Sequence, residues 1–260
     1  MSSMSTNEIQ DVQAVDAHAL ISLLDAVDAF PGAAELRARS YQLLQLAAGA
    51  RVVDVGCGTG RAAAEMTDQG ARAVGVDISE QMVTVARERW SGPDFRTAAA
   101  YELPFGDGEL AGYRADKVYH ELDDPARALT QARRVLSPGG RIVLLGQDWD
   151  TFVIDSADPA LTRTIVHARA DTIPGPHAAR RYRNLLLDTG FTDVTLEAHT
   201  GVFTDQMMLP MLSGLADAAR AGGAITGEQA EAWTAEQAER GQDGRLFLAI
   251  PMFLAAGTRP

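Results

Sequence analysis

The sequence holds a single cysteine, Cys57, in 260 residues. No intrachain disulfide can form, and a cysteine-rich metal site is excluded. Basic residues are also scarce, 23 Lys and Arg against 35 Asp and Glu, for a formal net charge of -12. Affinity for nucleic acid rests on cations that neutralise phosphates, so this balance argues against a nucleic-acid partner. No stretch approaches the roughly 18 successive apolar residues of a membrane-spanning helix. The opening "MSSMSTNEIQDVQ" shows no basic segment with an apolar core behind it. A cytoplasmic setting with no membrane partner is expected. Against these absences stands an ordinary globular composition, 46% hydrophobic and 22% charged. A chain of this length buries a sizeable core as one domain.

What is present alternates between two periods. "DAHALISLLDAVDAF" (16–30) and "AAELRARSYQLLQLA" (33–47) space apolar residues three and four apart, on either side of Pro31-Gly32, and predict N-terminal helices. "RVVDV" predicts a strand, "RAAAEMTDQG" a helix, "ARAVGVD" a strand and "SEQMVTVARERW" a helix capped by Ser79. "DFRTAAA" and "AGYRA" are weaker strands; "DPARALTQARRVL", "SPGG" and "RIVLLG" follow as helix, turn and strand. Beyond Gly146 the pattern predicts a helical tract over about 157–189 and a strand near "DVTLEAHTGVF". Two more helices and a last apolar strand, "RLFLAIPMFLAAG", close the chain.

Strands separated by helices of this length imply right-handed crossovers and a parallel sheet covered on both faces. The expected fold is α/β, doubly wound and Rossmann-like. It has a mostly parallel seven-stranded sheet with an antiparallel last strand, N-terminal helices and a helical insertion near the C-terminus. One domain over 1–260 is expected, with a helical extension at 1–47, a cofactor-binding core at 48–147 and acceptor-side helices and strands at 148–260.

The stretch "RVVDVGCGTG" runs a buried strand into Gly56, Gly58 and Gly60. Dinucleotide folds usually show Gly-x-Gly-x-x-Gly; here the spacing is Gly-x-Gly-x-Gly. With "VGVDIS", which ends the next strand on Asp77, this resembles the first motifs of class I S-adenosylmethionine-dependent methyltransferases. "AAAYELPF", "YRADKVYHELDDP" and "ARRVLSPGGRIVLLG" extend the likeness over roughly residues 40 to 147 in matching order. It is similar to the small-molecule branch related to quinone-biosynthesis C-methyltransferases.

The resemblance implies S-adenosylmethionine as cofactor, S-adenosylhomocysteine as product and no metal. It places Asp54, Gly56, Gly58 and Gly60 at the methionyl and ribose parts, and Asp77 on the ribose hydroxyls. Ile78, Met82, Ala99, Ala100 and Tyr101 fall around the adenine, with Ala99 where relatives often carry an aspartate. Tyr41 stands where relatives often use an aromatic cover, and Arg114 pairs with the cofactor carboxylate or with a surface aspartate. Cys57 reads as a space-filler, and Asp77 and the glycines also admit a purely structural role as cap and turn.

For the acceptor, "VYHELDD" puts Tyr119, His120 and Glu121 just past the fourth strand. Histidine suits general-base work near neutral pH, so His120 is the candidate base and Tyr119 an orienting group; a solvated helix start is the alternative. No Asn/Asp-Pro-Pro-aromatic motif of amino-group methylation occurs. Trp149 in "DWD" and Met207 and Met208 in "DQMMLPML" are candidate acceptor contacts, methionine being adaptable to irregular apolar ligands; helix core is the alternative for the methionines. The expected partner is a small apolar or aromatic metabolite methylated at O, N or C, and homodimer formation stays open. Quinone-type ring C-methylation, or cofactor binding without methyl transfer, are the alternatives.

Overall fold

A computed structural model describes residues 32–260. The helix expected at 16–30 lies outside the described residues. The described chain divides into two compact units, one formed by residues up to Arg114 with Arg134–Arg141, the other by Ala115–Arg133 with Ile142–Pro260.

In the first unit α1 (Ala33–Leu44) is followed by β1 (Arg51–Val55), α2 (Arg61–Asp68), β2 (Arg72–Asp77), α3 (Glu80–Arg89) and β3 (Asp94–Thr97). Val52, Val53, Val74, Val76 and Phe95 are buried, and β-branched and aromatic side chains suit such strands. Burial of each stabilises by about 1.5–3 kcal/mol. β1 pairs with β2 and β2 with β3, both parallel, as helix crossovers require. Ser79 caps α3 by accepting from the Met82 N–H at 3.3 Å.

β4 (Leu110–Asp116) and β5 (Leu136–Gln147) contribute residues to both units, and the order here is β3-β2-β1-β4-β5. The chain winds outward one way from β1 to β3 and the other way from β4 to β5. The loop after β1 therefore stands at the point of reversal, where α/β sheets bind ligands.

In the second unit a 3-10 turn (Tyr119–Glu121) precedes α4 (Pro125–Val135), which leads into β5. Then come β6 (Val153–Ile154), α5 (Pro159–Ala170), α6 (Ala178–Asp188), β7 (Thr192–Phe203), a 3-10 turn (Gln206–Met208), α7 (Leu209–Ala221), α8 (Gly227–Gln242) and β8 (Leu248–Thr258). The order is β5-β8-β6, and β8 runs antiparallel to both β6 and β7. This is the expected doubly wound α/β fold, with its antiparallel last strand and with α7 and α8 as the helical insertion.

Three details differ from the sequence expectation. The described residues hold eight strands, not seven; the extra one, β6, spans two residues, too few to show a period. The tract at 157–189 is two helices, broken where Pro174-Gly175-Pro176 cannot sustain helical bonding and where the Gly175 N–H donates to the His120 carbonyl at 2.8 Å. β5 begins at Leu136, so "SPGG" lies inside the strand, with Gly139 at φ 79°.

Candidate functional site

The loop after β1 is built on left-handed backbone: Gly56, Gly58 and Gly60 have φ of 66°, 52° and 86°, a region that only glycine adopts without strain. The Gly56 and Cys57 N–H groups both donate to the Val76 carbonyl, at 2.7 and 3.0 Å. Asp77 completes the loop. Its Oδ2 accepts from the Gly58 N–H and its Oδ1 from the Ser79 N–H, each at 2.9 Å. Beside it Ile78 is 77% exposed, whereas Met82 is buried.

The third glycine answers to packing within the chain. A Cβ on Gly60 would stand 2.6 Å from the Phe95 ring and 2.9 Å from Ala86; one on Gly75 would meet the same ring at 2.6 Å and the Cys57 sulfur at 2.9 Å. Cys57 fills space, as expected. Burial and the nearby Asp54 and Asp77 charges push its thiol well above the ordinary range, so it stays protonated and unreactive.

Asp54 and Arg114 form a buried ion pair, Oδ1 to Nη1 2.8 Å, with side chains 3% and 2% exposed. The Arg114 Nε donates to Ser40 Oγ at 2.9 Å, and its guanidinium lies 5.5 Å from the Tyr41 ring centre. The alternative of a surface aspartate for Arg114 is corrected by this pairing: its aspartate is interior. Tyr41 is buried too, and its hydroxyl donates to Glu65 Oε2 at 2.8 Å. Arg37 donates to both Glu65 oxygens, at 3.2 and 3.1 Å. Burial would raise the Glu65 pKa, but the hydrogen bonds from Arg37 and Tyr41 and the charges of Arg37 and Arg61 prevail and lower it.

The segment expected to line an adenine leaves β3 with the Ala98 N–H on the Asp77 carbonyl, at 2.9 Å. Arg134 secures it by donating to the Leu103 and Phe105 carbonyls, at 3.0 and 2.8 Å. Ala100 is buried, and Ala99 and Tyr101 are half-buried. Arg134 also pairs with Asp107 at 2.9 Å, and no sequence pattern marks it, because these partners lie 27 or more residues away.

In the second unit His120 is buried, with Nε2 3.0 Å from Glu121 Oε1. The solvated alternative for His120 does not hold. Burial lowers its pKa, the Lys117 and Arg169 charges add to this, and Glu121 opposes them. The His120 ring stands edge-on to Trp149, centres 5.6 Å apart; Trp149 stacks on Phe152 at 5.5 Å and carries the Arg169 guanidinium 5.0 Å over its ring. His120 Nδ1 and Trp149 Nε1 are closed to solvent, and neither has a hydrogen-bond partner among the described residues. Each such group costs about 1–3 kcal/mol. The amide oxygen of Gln147 at the end of β5 is in the same condition.

The remaining candidates separate. Tyr119 is fully buried, its ring edge-on to Tyr182 at 6.0 Å. Met208 is fully buried, but Met207 is 53% exposed, since neighbours on a 3-10 turn point different ways. The pair expected to line an acceptor together does not share a face. No group of three or more His, Cys, Asp or Glu among the described residues is arranged to hold a metal ion.

Residues 53–144 match the family model described as "Methyltransferase domain". The chain carries a methyltransferase domain. It is 34% identical over 190 residues to an uncharacterised 37.1 kDa protein of a Streptomyces fradiae transposon, covering 68% of this chain and 55% of that one. It is 36% identical over 163 residues to an O-methyltransferase of Penicillium expansum (58% and 56% covered). It is 38% identical over 100 residues to a demethylmenaquinone methyltransferase of Clavibacter sepedonicus (37% and 41%), which supports the quinone-related branch. The chain spans about half the length of these curated relatives. Among solved structures, a putative methyltransferase from Bacillus halodurans superposes with a TM-score of 0.60 at 20% identity, over 86% of this chain and 98% of that one. A geranyl diphosphate C-methyltransferase from Streptomyces coelicolor, solved with Mg2+, geranyl-S-thiolodiphosphate and S-adenosyl-L-homocysteine, gives 0.57 at 19% (87% and 76%).

Two features of the structure have no signal in the sequence. The Asp54–Arg114 pair joins residues 60 apart in sequence, beyond any local pattern. Arg169 and Phe152, which flank Trp149, lie C-terminal to the matched segment.

Proposed function

We propose that the chain transfers the methyl group of S-adenosylmethionine to a small apolar or aromatic metabolite and releases S-adenosylhomocysteine. The observation that carries this reading is Asp77 at the point of strand reversal, inside a methyltransferase domain, clamping a loop of three left-handed glycines. The local chemistry fits the cofactor. A carboxylate offers about four lone-pair positions; two take backbone N–H groups, and the others are suited to a ribose diol. Gly56 and Gly58 present bare backbone, and the exposed Ile78 beside them is apolar surface for a base to cover, with Met82, Ala99, Ala100 and Tyr101 assigned to the same end. Asp54, Arg114 and Tyr41 frame the loop from within the fold.

When bound, the cofactor supplies an electrophilic methyl group on a sulfonium. The protein's part is alignment of the acceptor and exclusion of water, with His120 as base and Trp149 as acceptor contact. The buried Tyr119 and Met208 belong to packing. We read the chain as one methyltransferase domain of the cytoplasm, with a small-molecule partner. The demethylmenaquinone methyltransferase relative favours a second reading, ring C-methylation of a quinone precursor.

Calorimetry tests the cofactor: S-adenosylmethionine and S-adenosylhomocysteine bind and NAD does not, whereas tight NAD binding would sink the assignment. A mass-spectrometric screen of phenols, indoles and quinones for the gain of one CH2 unit tests transfer. Tight cofactor binding with no acceptor in any class would favour a protein that binds the cofactor without methylating.

A further inference from the structure

We propose that two copies of this chain pair through the outer edge of β7, antiparallel and about a two-fold axis at Ala198, so that the sheet of the second unit continues from one copy into the other. The interface lies wholly within that unit and does not depend on the reaction assigned above.

β7 spans 12 residues, Thr192–Phe203. Its strand partner among the described residues is β8 alone, in an unbroken register from Thr195 opposite Ala256 to Phe203 opposite Leu248. α6 packs on β7 and β8 together, which places it over a face of the pair and not along the outer edge. Residues of an antiparallel strand turn their N–H and C=O groups to one side and the other in alternation, so alternate residues of β7 turn theirs away from β8. Edges of this kind are usually blunted by Lys, Pro or a bulge. Thr192–Phe203 holds no Pro, Lys or Arg, and its one irregularity, between Thr192 and Thr195 with Asp193 at φ 49°, sits at one end. Successive side chains point to opposite faces, so Val194, Leu196, Ala198, Thr200 and Val202 share a face without charge. On it Leu196 is 40% and Val202 53% exposed, and Ala198 and Thr200 are exposed as well.

Symmetry selects a second copy as the occupant. In a two-fold antiparallel pair, outward-turned residues must meet outward-turned residues, so the axis passes through a residue and not between two. An axis at Glu197 sets two like charges against each other, which is destabilising. An axis at His199 sets two imidazoles together and leaves each Glu197 opposite Gly201. An axis at Ala198 sets Glu197 against His199 twice, once on each side. On the uncharged face the same register brings Leu196 to Thr200 and Val194 to Val202. Glu197 and His199 already attract within one strand, Oε2 to Nε2 3.1 Å, so the dimer joins two such pairs in alternating order. The regular ladder runs from Thr195 to Gly201 in each copy and ends where the irregularity begins. Such an isologous contact closes on itself, whereas a foreign strand has no need of a charge order that complements itself when reversed.

Sedimentation equilibrium of the full chain tests the proposal. A strand-edge contact is small, and a monomer–dimer equilibrium with a Kd on the order of micromolar is expected. His199→Glu sets like charges opposite each other at both pairs and should weaken association about tenfold or more. Adding Glu197→Lys to it restores opposite charges and should return the affinity to within about threefold of the unmutated chain. Circular dichroism spectra that match certify that each variant is folded. Ala198→Cys puts an exposed thiol on the axis of a chain whose Cys57 is buried; a short bismaleimide should then join two copies, because directly opposed Cβ atoms lie about 4.5–5.5 Å apart. One chain's mass at concentrations up to about 100 μM, well beyond a micromolar Kd, overturns the proposal, as does a dimer indifferent to His199→Glu. A dimer that the charge swap does not rescue, or in which the thiols of Ala198→Cys stay unjoined, overturns the register and the proposal with it.

Discussion

Asp77 reaches back to Gly58, its Oδ2 accepting that residue's backbone N–H at 2.9 Å while its Oδ1 takes the Ser79 N–H at 2.9 Å. One carboxylate ties the end of β2 to the loop after β1 and to the start of α3. Asp77→Ala should weaken S-adenosylhomocysteine binding by roughly 1.5–3 kcal/mol, the range for hydrogen bonds to a charged group, and lower the melting temperature. Asp77→Asn keeps one acceptor oxygen and should fall between. Calorimetry and thermal melting check both; an unchanged Asp77→Ala protein would show that the clamp holds nothing.

Gly60 and Gly70 share a left-handed backbone, φ 86° and 92°, but only Gly60 has neighbours where a Cβ would go. Gly70→Ala should cost about 1–2 kcal/mol, the strain alone. Gly60→Ala adds a clash with Phe95 and Ala86 and should cost more. Phe95→Leu should recover part of that excess in urea titrations, and equal costs at the two glycines would refute the packing account.

The Asp54–Arg114 pair is closed to water, so removing one partner strands a charge. Arg114→Ala should lose about 3–5 kcal/mol of unfolding free energy. Arg37→Ala removes a partner of the one-third exposed Glu65 and should lose about 1 kcal/mol or less, because solvent screens that carboxylate. Chemical denaturation of the two variants gives the ranking, and the reverse order would count against a buried pair.

His120 has its pKa lowered from 6.5 by burial, with Lys117 and Arg169 adding and Glu121 opposing. Above pH 6.5 the ring is neutral in both folded and unfolded chains and contributes nothing to the pH dependence. Below it the unfolded chain takes up a proton that the folded chain refuses, so stability falls until the pH passes the lower folded value. Unfolding free energy measured between pH 7 and 5 should therefore decline, with a shallower decline in His120→Leu. Identical slopes would mean that His120 is not held neutral.

Met207 and Met208 should behave differently. Met208→Ala opens a hole at a fully buried position and should cost about 2–5 kcal/mol, whereas Met207→Ala on the exposed side should stay within about 0.5 kcal/mol. Similar costs in a melting assay would show that the turn places them otherwise.

Much of this was legible because it is local. The strand into Gly56, the Ser79 cap and the acidic end of β2 lie within a few residues of the signals that announce them. The break at Pro174-Gly175-Pro176 was written in the sequence but overridden by the helical spacing on either side. The partners of Arg114 and the stacking of Trp149 on Phe152 under Arg169 depend on contacts that no periodicity encodes. Met207 and Met208 look alike in sequence, and only the turn that carries them separates buried from exposed.

Ser40 fastens α1 to Arg114, the ion-pair partner of Asp54, and Tyr41 and Arg37 fasten it to Glu65. A segment that swings aside to admit a ligand must detach at low free energy, and one whose departure would unseat an interior ion pair cannot. In native-state hydrogen exchange the amides of α1 should thus open only with the strands beneath them, as one cooperative unit, and not in a separate low-energy event. Access to the glycine loop in this unit then falls to segments that carry no such anchor.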